Sequence, residues 1–108
     1  MTKIEIGSNE TELSMECRGH AGYASVGNDI VCAAISVLTQ TLIAHALNSS
    51  YDIDFGCREG HLWIYTNDPR TIDAAAPIIT GLCLIEGSYP TYVEVTKGCP
   101  IIRNNPVI

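Results

Sequence analysis

Positive charge is scarce in this chain: six Lys and Arg stand against twelve Asp and Glu, a formal net charge of −6. No basic stripe exists to displace counterions, which argues against a nucleic-acid phosphate backbone as direct partner. A basic peptide or protein stays compatible with that balance. No apolar run approaches the roughly 20 residues of a membrane span. Met1-Thr2-Lys3 leads into a strand pattern rather than a signal peptide. A cytoplasmic protein with no membrane association is expected. The five cysteines, at 17, 32, 57, 83 and 99, are odd in number and irregularly spaced, a poor disulfide framework. There is no C-x-x-C, no G-x-G-x-x-G, no Walker pattern and no nucleophile-elbow serine. Cys17 with His20 and Cys57 with His61 have spacings that zinc could use. Cys17, however, lies on the inward phase of a strand and need not converge with His20, so no metal and no cofactor are assigned.

What is present reads as one domain over 1–96 followed by a tail over 97–108. Lys3–Ile6 alternates as a strand, Gly7-Ser8-Asn9 turns, and Leu13–Arg18 returns with Leu13, Met15 and Cys17 inward and Glu16 and Arg18 outward. Asp29 is a good N-cap for a helix over Ile30–Leu47, which contains no Gly or Pro. His45, on that helix between two alanines, is a structural residue on this reading. Tyr51–Cys57 and His61–Thr66 alternate around a tight Arg58-Glu59-Gly60 turn. A weaker helix spans about Thr71 to Glu86, where Pro77 should kink or restart it. Tyr92–Thr96 closes the pattern. The fold class expected is α+β: a mostly antiparallel sheet, two hairpins plus a closing strand, with two helices packed on one face.

His20 and Cys32 stand twelve residues apart. The histidine ends a strand, a glycine-bearing loop follows, and the cysteine falls in the first turn of the next helix. A helix N-terminus favours an anion by about 0.3–1 kcal/mol, a modest bias that a paired imidazolium would complete. That is the arrangement of a cysteine hydrolase; a buried, inert first-turn cysteine is the competing reading. Asp29 can cap the helix, orient His20, or do only the first. Ser36, one turn beyond Cys32, can donate a hydrogen bond near the thiol. The N–H groups of the first helical turn are candidates for an oxyanion.

The run Gly19-His20-Ala21-Gly22-Tyr23-Ala24, then Gly27-x-Asp29-Ile30-Val31-Cys32-Ala33-Ala34-x-Ser36-x-Leu38, resembles the ribosomal-processing cysteine proteases of the Prp family. Gly81-Leu82 and Tyr89-Pro90-x-Tyr92-Val93 add to it, so the resemblance covers about residues 3–96. It implies that His20 and Cys32 are the catalytic pair. It further implies removal of the N-terminal extension of ribosomal protein bL27, cut after an aromatic and before a small residue, by a homodimer. Phage-encoded relatives act on capsid or scaffold proteins, and a non-catalytic ribosome-associated factor is the alternative outside enzymes. Gly19, Gly22, Tyr23 and Gly27 are assigned to a substrate loop. Gly22 and Gly27 would hinge it, and Tyr23 is large enough to lie over the cleft between His20 and Cys32, so the loop is expected to act as a lid.

Overall fold

A computed structural model of the chain describes residues 1–25 and 27–103; Val26 of the loop and 104–108 of the tail lie outside the described residues. The elements are β1 (Thr2–Ser8), β2 (Leu13–Arg18), α1 (Ile30–Asn48), β3 (Asp54–Arg58), β4 (His61–Thr66), α2 (Pro69–Ser88) and β5 (Val93–Lys97). The strands form one sheet in the order β3-β4-β2-β1-β5. Neighbours are antiparallel except β1 and β5, which run parallel with Ile4 opposite Val95.

Two crossovers make this topology. β2 passes through α1 to reach the parallel strand β3, and β4 passes through α2 to reach β5. The two crossovers run in opposite strand directions and move toward opposite edges of the sheet. Right-handed connections therefore place both helices on the same face. There Ile4, Met15, Ile64 and Val93 of the sheet meet Val31, Leu42 and Leu82 of the helices, each at most 1% exposed. Burying such a side chain contributes about 1.5–3 kcal/mol.

α1 and α2 are, by length and composition, apolar enough to cross a membrane, contrary to the sequence expectation. Both instead lay a stripe on the core, including Val31, Ile35, Leu42 and Ala46 in α1 and Ala75, Ile78 and Leu82 in α2. α2 runs through Pro77 without restarting. Pro77 is exposed, so the carbonyl its ring deprives of a partner can turn to water while Ile78 and Leu82 hold the helix down.

On the other face of the sheet, Glu16 points away from the helices as expected yet is 4% exposed. It accepts hydrogen bonds from Arg18 Nη2 at 2.8 Å and from His61 Nε2 at 2.9 Å. Burial pushes its carboxyl up, and the bonds from His61 and Arg18 more than reverse that, leaving it below the usual range. The described part of the tail folds across the same face. Cys99 N–H donates to Ile6 O at 3.1 Å, Ile102 N–H to Ser14 Oγ at 3.1 Å, and the Arg103 guanidinium to Glu12.

Candidate active site

Three chain segments meet at the end of the sheet where β2 finishes. Gly19 N–H donates to Gly60 O at 2.9 Å, and the Thr2 hydroxyl donates to Gly19 O at 3.3 Å. The strand end carrying His20 is thus clamped between β1 and the β3–β4 turn. Gly60 (φ +74°) closes that turn, and a Cβ there would lie 3.3 Å from His20 Nε2. Gly60 is therefore both the turn residue that a positive φ demands and the surface against which the imidazole rests. Nothing near Gly60 in the sequence indicates this, because its partner is forty residues upstream.

Asp29, in extended conformation, is the N-cap of α1. Its Oδ1 accepts from Val31 N–H at 3.0 Å and Cys32 N–H at 2.9 Å; its Oδ2 accepts from Tyr23 N–H at 3.0 Å and Ala24 N–H at 3.4 Å. The Cys32 N–H foremost holds its carboxyl below the usual range, against partial burial, with Ala24 and Tyr23 adding to the effect. One carboxylate thus fixes both the helix start and the loop before it. It makes no hydrogen bond to His20 in this arrangement.

Cys32 is half-buried, and Ala21 N–H points at its sulfur with an N···Sγ distance of 3.2 Å. Three of the expected oxyanion donors of the first turn are engaged otherwise. Val31 and Cys32 N–H bond to the Asp29 side chain, and Ala33 N–H bonds to Asp29 O at 3.0 Å.

A cavity of about 580 Å³ opens beside the sulfur. Its walls include His20, Asp29, Cys32 and Ser36 together with Gly19, Gly22 and Gly27 of the loop. Thr39 and Gln40, further along α1, and Arg58 of β3 also border it and were not singled out from sequence, and Cys57, considered there only as a zinc ligand, borders it too. Burial, with the Glu16 charge adding, pushes the Cys17 thiol in the same wall up to about 12. Cys17, His20, Cys57 and His61 all border this space, yet among the described residues no three His, Cys, Asp or Glu side chains come together as a metal site.

Tyr23 does not lie over the cleft. Its ring turns away and stacks edge-on against Tyr89 at 5.5 Å and Tyr92 at 5.3 Å, at the junction of α2 and β5. Aromatic edge-to-face contacts and the Asp29 bond to Tyr23 N–H hold it there. His45, exposed on α1, stacks edge-on against Tyr51 at 5.8 Å, away from the cavity.

The family model described as Cysteine protease Prp matches residues 1–94. The chain belongs to this family of cysteine proteases. Among solved structures, the ribosomal processing protease Prp from S. aureus with a covalently linked product peptide superposes with a TM-score of 0.75 at 23% identity, covering 90% of this chain and 99% of that one. The same S. aureus enzyme with a substrate peptide gives 0.63 at 23% identity over the same shares. SMU.848 from Streptococcus mutans gives 0.67 at 25% identity, covering 90% and 93%. No curated protein sequence matches the chain. The sheet order and two-helix layer described above are thus those of Prp structures.

Proposed function

We propose that this Prp-family protease is an endopeptidase that trims the N-terminal extension of ribosomal protein bL27 in the cytoplasm, with Cys32 as nucleophile and His20 as its general base. The observation that carries this reading is that both side chains open into one cavity, with a backbone N–H aimed at the sulfur. Cys32 attacks the scissile carbonyl, His20 takes the thiol proton and later delivers it to the leaving amine, and water releases the acyl-enzyme. Asp29 serves as a positioning residue through the helix start and the loop. With the Val31, Cys32 and Ala33 amides engaged, Ala21 N–H, which points at the sulfur, and the Ser36 hydroxyl are candidates to meet the developing oxyanion.

A cavity of this volume accepts an aromatic side chain before the cut. A second copy of the chain has apolar surface to cover, since Val37 and Leu47 of α1 and Leu84 of α2 are more than half exposed. The test is cleavage of a bL27 junction peptide with Phe before the cut and Ala after it. An apolar pocket discriminates by about 1–3 kcal/mol, so Asp or Gly in place of Phe should slow cleavage at least tenfold. Equal rates on aromatic and acidic peptides would remove the site-specific assignment. Preference for a phage capsid or scaffold junction over the bL27 one would redirect the substrate but not the chemistry.

A further inference from the structure

We propose that the free edge of β3 is the strand against which the substrate peptide docks, paired backbone to backbone and leading into the cavity. This rests on the protease reading above and specifies how its site holds a chain. β3 is an edge of the sheet, with β4 on one side only. The β3–β4 hairpin closes through Glu59 and Gly60, with Arg58 opposite His61. In a two-residue hairpin the closing pair exchanges hydrogen bonds, and alternate pairs follow suit. Arg58, Gly56 and Asp54 therefore face β4 with their amides, while Phe55 and Cys57 turn their N–H and C=O outward. Among the described residues no backbone bond outside the hairpin reaches either of them.

The side chains of Phe55 and Cys57 lie on the helix face of the sheet, yet neither is covered: Phe55 is 40% exposed and Cys57 is also exposed. The helices pack over the other strands and leave this one open. The edge is also continuous with the cavity, because Cys57 and Arg58 belong to the strand and to the wall that faces Cys32. An extended peptide added here would offer two residues, i and i+2, to Phe55 and Cys57. It would send the side chains of alternate residues toward the cavity and the intervening ones to the opposite face of the sheet. Main-chain bonds would hold the chain, and the cavity would read its side chains.

The test uses the Cys32→Ser protein and a short fluorescent peptide with Phe before the cut and Ala after it, with binding read by anisotropy. N-methylation along the peptide should weaken binding at every second residue by roughly fivefold to tenfold, the worth of one lost hydrogen bond, and leave the residues between unaffected. On the protein side, Phe55→Pro removes only an outward N–H, which an edge strand tolerates. It should bind the peptide several-fold more weakly than Phe55→Ala at the same melting temperature. Uniform loss along the methylated series, or equal affinity of Phe55→Pro and Phe55→Ala, overturns the proposal. So does a Phe55→Pro protein that loses a dimer but keeps its peptide affinity, which would make this edge an interface between copies. If Phe55→Pro does not fold, the methylation series decides alone. Wild-type protein that cleaves no such peptide would instead defeat the underlying protease assignment.

Discussion

At the start of α2, Asp68 is 5% exposed and its carboxylate is saturated. Oδ1 accepts from Arg70 N–H and Nε at 2.9 and 3.0 Å, and Oδ2 accepts from Arg70 Nη2 at 2.8 Å and Asp52 N–H at 2.9 Å. Pro69 follows in the first turn, and Thr71 is fully buried. At the start of α1, Asp29 has no cation beside it among the described residues. Its four bonds among the described residues come from backbone amides, and the third helical residue opens into a cavity. The same capping chemistry gives a closed joint where a guanidinium completes it. Where amides alone complete it, the joint is open and holds a thiol in view of solvent. A helix start becomes a site through what its cap leaves accessible.

The sharpest way to break this contrast is to empty the open joint. Cys32→Ser is nearly isosteric and should abolish cleavage of the junction peptide while leaving the melting temperature within a degree or two of wild type. His20→Ala should lower kcat/KM by at least about a hundredfold, the usual scale of a general base. Wild-type turnover in either variant would dissolve the contrast between the two helix starts.

Two thiols of one cavity wall should then separate in alkylation. The Cys17 thiol, pushed up to about 12, stays neutral at ordinary pH. Brief iodoacetamide treatment near neutrality should label Cys32 and leave Cys17 unmodified in peptide mass spectra. Unfolding in denaturant should remove that difference.

A tenfold effect is expected at Gly60. Alanine at positive φ costs about 1–2 kcal/mol, and at this position the added methyl also presses on the His20 ring. Gly98 (φ +78°) has nothing within 4 Å of such a methyl and serves as the control. Both Gly60→Ala and Gly98→Ala should lose similar stability, and only the first should lose kcat and shift the pH–rate profile.

The smallest effects compare the caps directly. Asp68→Asn should lower the melting temperature more than Asp29→Asn, and Asp29→Asn should lower turnover more than Asp68→Asn. Both carboxyls are depressed from 3.8 in the folded protein, Asp68 strongly, through the Arg70 side chain first, and Asp29 through the Cys32 amide first. Each therefore contributes stability that is full above about pH 4 and lost as the pH falls through its folded value. Melting curves across acid pH should show the Asp29 contribution fading first and that of Asp68 persisting further down. The opposite order would mean that the guanidinium does not protect its partner.

Much of this was legible because it is local. Alternation in Leu13–Arg18 and His61–Thr66 marks the strands, and Asp29 before an uninterrupted apolar helix marks the cap. The rest depends on partners far along the chain. Glu16 alternates like a surface residue, and only His61, forty-five residues on, shows how it can be buried. Tyr23 looked free to cover the cleft because Tyr89 and Tyr92 meet it only in the folded state. Tyr51–Ile53 continue the alternation of β3, yet the strand begins at Asp54 because Asp52 N–H and O are taken by Asp68, Thr66 and Thr71. Gly60 read as turn geometry and proved to be a seat for His20 as well.

Thr2 has a consequence in time. Its N–H is held by Tyr92 O at 2.9 Å, while its hydroxyl holds the carbonyl of Gly19 beside His20. A growing polypeptide makes His20 and Cys32 early, but the brace behind the histidine waits for β5, some ninety residues after β1. Such distant pairings form late and slowly. A nascent chain therefore carries His20 and Cys32 long before it can hold them in place.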